Sequence, residues 1–459
     1  MGRARSPWGT KNANEILKAR IPSPQVVTLA DWSAFNRRLK NRAGRRALLL
    51  TFIAATAVFS GLPLWHYFRG GHLFDYKLWY DTGQQVLAGQ EIFFSRSGKY
   101  DFMYPLPCAL FLGGASLLGQ GGLIFLLVAI NSVAWFYSAR LSATLTTGDR
   151  RIRNPWVYVV PSLLVIVYIW STYHLGQPNL VLLALMLGAF VALRAEREII
   201  AGGLIAIAAA IKAFPVIAIV YLLYRRYWIA AASLVVALIF LLLVLPAPFR
   251  GFERAWRDLE KWSVGMLRYS EAGVGQRPKR SYTWKNQSLI GVSNRLLRRV
   301  DAGAASAQGQ PVYVNFADLK FPVVNAIVIA FALTLSVIFI AVMPERGMRT
   351  PDSDAIEFAL LLLMILMITP LSFGYFFCWL MLPFAVMTQR VVARKSSAIL
   401  WCSLPALALL AFGLIFPRGA QLYGNTFFAV LLLFIGSSIE LFRFKKQGQT
   451  TSIGRVELA

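Results

Sequence analysis

The chain has 459 residues, of which 57% are hydrophobic and only 15% charged, with a mean hydropathy of +0.56. That is too apolar for a water-soluble domain of this length, and the apolar pool could supply at most roughly 13 membrane-crossing helices of about 20 residues each. The 47 Lys and Arg against 21 Asp and Glu give a net charge of +26, which in a membrane chain belongs to cytoplasmic loops and headgroup contacts rather than to nucleic acid. A soluble enzyme, a coiled coil, a disordered regulator and a disulfide scaffold are excluded. Cys108, Cys378 and Cys402 lie in apolar runs without CxxC spacing or a neighbouring His, so no metal site is expected.

Residues 1–46 are polar and basic, unlike a signal peptide, and form a cytoplasmic segment ahead of the first apolar run. Runs of bilayer length follow at 47–68, 104–139 (broken by Gly113-Gly114 and the glycines at 119–122), 156–172, 179–193, 199–224, 228–247, 321–343, 355–370, 374–387, 397–416 and 425–442. Basic residues orient them. Arg37, Arg38, Lys40, Arg42, Arg45 and Arg46 stay inside, as do Arg140, Arg150, Arg151 and Arg153, then Arg194 and Arg197, Arg225 and Arg226, Arg346 and Arg349, and Arg390, Arg394 and Lys395. The tail at 443–459, with Arg443, Lys445 and Lys446, closes on the same side. This parity requires one net crossing over 104–139, with 104–118 juxtamembrane or re-entrant. It also makes 199–224 a hairpin of two short helices turning near Lys212 to Pro215. The reading is an all-α, multi-pass bundle of about 12 spans in the plasma (inner) membrane. Residues 47–442 form one transmembrane domain, with extracytoplasmic loops 69–103 and 248–320 and both termini cytoplasmic.

The topology collects the unusual polar residues on the outer side: Asp75, the run from Tyr173 to Asn179, Lys212, Asn286-Gln287-Ser288, and Ser372 to Tyr375. Asp75 opens an amphipathic stretch ending at Gly89, which reads as an interfacial helix. It serves there either as an N-cap or as a general base above the bilayer, and Asp81, Glu91 and Asp101 compete for the second role. The stretch 252–267 carries Phe252, Trp256, Leu259, Trp262 and Met266 on one face, a second interfacial helix that borders a lipid entrance or ties the loop to the bilayer. Asp352-Ser353-Asp354 has the form of a metal-holding D-x-D triplet, but it falls in a cytoplasmic loop and reads as a helix cap.

Several segments together resemble glycosyltransferase family 87. Asp75, Trp79-Tyr80, Gly83, Leu87 and Gly89 followed by Tyr104-Pro105 look like its first extracytoplasmic loop. Gly176-Gln177-Pro178-Asn179 is similar to its Gly-Gln-x-Asn loop. Ala201-Gly202-Gly203 through Ile211-Lys212-Ala213-Phe214-Pro215 resembles its Ala-Gly…Lys-x-x-Pro hairpin, and Asn286-Gln287-Ser288-Leu289 its Asn-Gln-Ser segment. The likeness covers roughly 47–390. It implies a GT-C fold, a polyprenyl-phosphate-sugar donor, typically mannosyl, and a catalytic aspartate at Asp75. The chain departs from the pattern at Leu106, where a second proline is usual, and at Thr369-Pro370-Leu371-Ser372-Phe373-Gly374-Tyr375, where Tyr375 stands in place of a histidine.

The chemistry suits these residue types. A lipid-phosphate sugar carries its own leaving group, so transfer needs a carboxylate to deprotonate an acceptor hydroxyl and cations to meet charge on the departing phosphate. Lys212, inside an apolar segment where a lysine costs about 2.5–3.5 kcal/mol, is the first candidate cation; its alternative is a snorkelling residue at a hairpin tip. Arg280 and Arg295 follow. His174, Gln177, Asn179, Asn286, Gln287 and Tyr375 complete the expected donor contacts, though Asn179 could equally cap the helix that it opens. The expected partners are the lipid donor, a glycolipid or glycan acceptor and the bilayer, with no cofactor, metal or nucleic acid. A transporter or lipid-linked-sugar flippase is the alternative; it calls for ionisable residues near the midplane and two related halves, whereas the chain has one intramembrane ionisable residue, off-centre, and no internal symmetry. A membrane scaffold would leave the one-sided polar set unexplained.

Overall fold

The computed structural model describes residues 42–93, 95–96, 99–100, 102–148, 155–303, 310–392 and 397–456. Arg37, Arg38, Lys40, Asp101, Arg150, Arg151, Arg153, Arg394 and Lys395 lie outside the described residues. The chain divides into residues 1–52 and 53–459. Of the first, the structure describes the opening of the Arg42–Phe68 helix; the second holds the bundle and the polar site.

The described residues are mainly helical, and the strands among them form two small hairpins, Ser95–Arg96 with Lys99–Tyr100 and Tyr269–Ser270 with Gly273–Val274. The all-α expectation holds. Among the described residues, six helices are long and apolar enough to cross a membrane: Arg46–Phe68, Gly119–Thr147, Trp228–Arg250, Phe321–Val342, Ala398–Ile415 and Asn425–Gln447. A seventh is added if Trp156–Leu164 and Ile166–Leu175, bent by 58° at Val165, count as one. Leu106–Ser116, Asn179–Arg194, Glu198–Ile211 and Phe214–Tyr224 are apolar but shorter.

The centre of the bundle is Pro351–Ile368. Pro351 at its first position and a capping box between Thr350 and Ser353 start it, since proline lacks the N–H that a first turn leaves unbonded and the box satisfies two others. From Ala355 to Met367 every residue is buried, and Phe358 stacks on Phe190 with centroids 4.3 Å apart. A helix apolar on all sides belongs inside a bundle. Asp352 and Asp354 sit in its first turn, where they pair with Arg390 (3.1 Å) and Arg349 (2.7 Å); the D-x-D triplet is engaged in ion pairs at a helix start.

The segment 198–224 runs out and back. Glu198 accepts a hydrogen bond from the Ala230 N–H (3.1 Å) and Ser233 donates to the Ile199 carbonyl (2.8 Å). Glu198–Ile211 and Trp228–Ile239 therefore start at the same end. Gly202 faces the backbone at Ala230 so closely that no Cβ fits, the small-residue contact by which helices approach in a membrane. The turn is an extended residue, Lys212, followed by the 3-10 turn Phe214–Ile217.

The helices Asp75–Leu87 and Leu106–Ser116 pack together through Gly83, whose missing side chain makes room for the Leu112 carbonyl. On Phe252–Met266 the apolar set splits. Trp262 and Met266 are buried with Ala255 and Asp258, while Phe252 and Trp256 face outward. The single apolar face expected from spacing is thus divided, because Asp258 turns inward to pair with Arg250 at 2.7 Å.

Candidate active site

The site is assembled where the Ile166–Leu175 helix ends. Gly176 takes a left-handed conformation (φ 72°), and the Gln177 N–H bonds back to the Thr172 carbonyl at 2.9 Å, a closure that releases the chain into a turn. A Cβ on Gly176 would also crowd the Tyr76 ring. Two side chains of the Asp75–Leu87 helix clamp this turn: Tyr76 Oη donates to the Tyr173 carbonyl and Trp79 Nε1 to the Gly176 carbonyl, both at 2.7 Å. Asn131 Nδ2, from the Gly119–Thr147 helix, donates to the Gln177 carbonyl at 3.3 Å.

The clamp brings Asp75 and Gln177 into contact, with Gln177 Nε2 donating to Asp75 Oδ2. Asp75 is the first helical residue; Phe74 holds the N-cap position, and no side chain caps this helix. The N-cap reading of Asp75 is therefore replaced, because its carboxylate turns to Gln177 instead of to the backbone. Phe74 has φ 47° and ψ −130°, a conformation costing about 1–3 kcal/mol for a side chain with a Cβ. The rings of His72 (4.5 Å) and His174 (4.3 Å) flank it, and its N–H bonds to His72 Nδ1 at 3.0 Å. His174 also stacks on Trp170, so it is held among aromatic rings next to Phe74.

Among the competing carboxylates, Asp81 pairs with Lys77 (2.8 Å) and Glu91 with Lys261, both on the exposed surface. Asp75, partly buried and held by a neutral amide, differs from both.

On the far side of Gln177, Tyr104 Oη donates to its Oε1 at 2.7 Å. The Tyr104 ring in turn faces Lys212, with Nζ 5.4 Å from its centroid, 5.1 Å from that of Tyr375 and 5.9 Å from that of Phe214. Among the described residues Lys212 has no ion-pair partner; Asp75 bears on it electrostatically without pairing. An ammonium ringed by aromatic faces gains about 0.5–2 kcal/mol, short of what a counter-ion supplies in a low dielectric. Arg280 lies within electrostatic reach of Lys212, Tyr104 and Tyr375, and its Nη1 bonds only weakly, to Met103 Sδ at 3.2 Å. Asp75, Gln177, Tyr104, Lys212 and Tyr375 are thus one cluster, with His174 and Arg280 at its borders.

Asn286, Gln287 and Arg295, also expected as donor contacts, are used elsewhere. Asn286 Nδ2 donates to Ser281 (2.8 Å) and Pro370 (3.0 Å) carbonyls, and its Oδ1 accepts from the Ser372 N–H at 3.0 Å. Gln287 Nε2 donates to the Trp284 and Gln421 carbonyls, each at 2.7 Å. Arg295 is fully buried, with its guanidinium donating to the carbonyls of Thr283, Asn286, Gln421 and Leu422. Asn286 thus staples the turn ahead of Tyr375, joined by the Gln287 backbone N–H on the Ser372 carbonyl at 2.8 Å, while the Gln287 side chain and Arg295 tie the 283–287 loop to residues 421–422. Asn179 is fully buried and its side-chain atoms have no partner, while its carbonyl accepts from Trp379 Nε1 at 3.0 Å; it does not cap its helix. Tyr104 and Asn131 are site residues that the sequence reading does not supply. Tyr104 belongs to a recognised motif, and Asn131 is a rare amide in an apolar helix, which is the available signal.

Fold and cluster together define a multi-pass membrane protein whose polar site is built on one carboxylate and one ammonium. The family model described as Glycosyltransferase family 87 matches residues 102–370, more than half of the chain. The chain belongs to glycosyltransferase family 87 and is a glycosyltransferase. The match takes in Tyr104, Gln177, Lys212 and Asn286, while Asp75 and Tyr375 lie on either side of it. The chain is also similar to the polyprenol-phosphate-mannose-dependent alpha-(1-2)-phosphatidylinositol mannoside mannosyltransferase of Mycolicibacterium smegmatis (strain ATCC 700084 / mc(2)155), at 24% identity over 342 residues, 70% of this chain and 69% of the relative. No solved structure matches the chain.

Proposed function

We propose that the protein moves a hexosyl group, mannosyl by analogy with the relative's name, from a polyprenyl-phosphate sugar to a hydroxyl of a glycolipid or glycan acceptor. The reaction occurs on the extracytoplasmic face of the plasma (inner) membrane, in a GT-C bundle of about a dozen crossings with both termini inside. The observation that carries this reading is the unbroken contact series Asp75–Gln177–Tyr104–Lys212, which sets a carboxylate held by an amide across from an ammonium with no ion-pair partner among the described residues.

Asp75 removes the proton of the acceptor hydroxyl as its oxygen attacks the anomeric carbon and the bond from that carbon to the phosphate oxygen breaks. This is a single displacement with inversion. The phosphate passes from a diester of charge −1 to a monoester of about −1.5 to −2 at pH 7, so the added charge appears in the transition state, and a cation already in place stabilises that state more than the ground state. Lys212 is that cation, with Arg280 beside it. His174 and Tyr375 border the sugar.

The test is transfer from labelled polyprenyl-phosphate mannose in membranes carrying wild type or Asp75→Asn. Asparagine keeps the shape but accepts no proton, and turnover should fall by about 10²–10⁴-fold. Transfer at the wild-type rate would remove Asp75 from the chemistry.

A further inference from the structure

The two functional ends of this cluster are not independent, because one side chain touches both. Tyr104 is 7% exposed, wedged edge-on against Trp79 (centroids 4.8 Å, planes at 86°) and tilted against Phe102 at 5.6 Å. Its ring cannot swing, so its hydroxyl is delivered to one point, Gln177 Oε1. Its face is presented to Lys212. Burial pushes the phenol well above the ordinary tyrosine range, which keeps it an O–H donor.

Gln177 can meet Asp75 in two ways, since an amide carries an acceptor at one end and donors at the other. With its oxygen toward the carboxylate it would set two acceptors face to face. With its nitrogen there it donates, as observed. A donor on the amide oxygen favours the second orientation and, by polarising the amide, strengthens the bond that its N–H makes. The carboxylate is then held on one oxygen, leaving Oδ1 for the acceptor hydroxyl.

We infer that Tyr104 is a positioning residue that orients the base Asp75 through Gln177 while its ring seats the donor-phosphate cation Lys212. This rests on the reading given under Proposed function and adds to it a residue that touches neither substrate nor reacting atom. The hydroxyl and the ring make separable predictions, one for turnover and one for donor affinity.

Tyr104→Phe keeps the ring and its packing but removes the O–H. Its kcat should fall by about 10–100-fold, the scale of losing sub-ångström alignment, with the donor KM unchanged. Tyr104→Leu removes the ring as well, and the donor KM should rise on top of the same loss of kcat. Because the effect passes through Gln177, the double variant Tyr104→Phe with Gln177→Met should be no slower than Gln177→Met alone, whereas independent effects would multiply. The inference is overturned by wild-type kcat in Tyr104→Phe, by multiplicative losses in the double variant, or by a Tyr104→Phe effect confined to the donor KM. Should Tyr104→Leu fail to accumulate, the Phe variant and the double variant still decide the matter. Asp75→Asn separates the two levels: if that variant is active, the proposed reaction itself falls. If it is inactive and Tyr104→Phe behaves as wild type, only the role of Tyr104 falls.

Discussion

Lys212 and Arg225 stand at opposite ends of the same stretch of chain, one at the turn of the out-and-back segment and one just past its return. Arg225 reaches Glu357, fully buried, with Nε at 2.7 Å from its carboxylate and a second contact through Nη2, and it donates to the Pro344 carbonyl at 2.9 Å. Tyr221 bonds the same carboxylate at 2.6 Å. Nearby, Arg390 pairs with Glu440 at 2.7 Å and with Asp352, and Arg194 donates to the Leu145 and Pro351 carbonyls. Lys212 has ring faces instead. The Asn179–Arg194 helix, about 24 Å long, joins the two regions, with Gln177 just before its start and Arg194 at its end. Buried charge in both places carries a desolvation cost. At one end the protein meets that cost from within; at the other, on the proposed reaction, the donor phosphate meets it.

Glu357→Ala should break this contrast most severely. It strands Arg225 in the interior, and removing one partner of a buried pair costs about 3–5 kcal/mol. Thermal unfolding of the detergent-solubilised protein should show the loss, while the donor KM of the surviving folded fraction stays at wild type. A changed KM would mean the two ends are coupled.

Lys212→Met should do the reverse. Losing a charged contact to donor phosphate costs about 1.5–3 kcal/mol, read as a fall in kcat/KM for the donor, with the melting temperature unchanged or raised because an uncompensated cation is gone. Lys212→Arg should keep more activity than Lys212→Met. If the Met variant unfolds instead, the ammonium belongs to the scaffold and the comparison collapses.

Lys261→Ala supplies the floor. Its pair with Glu91 lies on the exposed surface, where such bridges contribute about 0–1 kcal/mol, so neither melting nor transfer should move appreciably.

The helices are legible in the sequence because their apolar runs are long, and so is the turn at Lys212, because the basic residues on either side require the chain to come back. The bend at Val165 and the π turn Phe240–Val244 leave no comparable mark, since each depends on what packs beside it. The carboxylates show the same division. Spacing leaves Asp75, Asp81, Glu91 and Asp101 level, and the first three separate only once Lys77, Lys261 and Gln177 are seen beside them. Asn286, Gln287 and Arg295 have residue types suited to a sugar or a phosphate, yet their partners are carbonyls such as Pro370 and Gln421. Those lie many residues away in sequence, where no local pattern reveals them. Tyr104 is inconspicuous for the converse reason: a tyrosine in an apolar stretch looks like packing until its hydroxyl is traced.

The cage around Lys212 also bears on how fast the cycle can repeat. Among the described residues no carboxylate pairs with Lys212, so an anion entering the cage displaces none, and one leaving meets no internal bridge that competes with its return. On the proposed reaction, loaded and discharged carrier lipids offer the same phosphate to the same ammonium, the discharged one with more charge. The spent carrier is then a competitive inhibitor by construction, and throughput in the membrane depends on how quickly the leaflet is cleared of it.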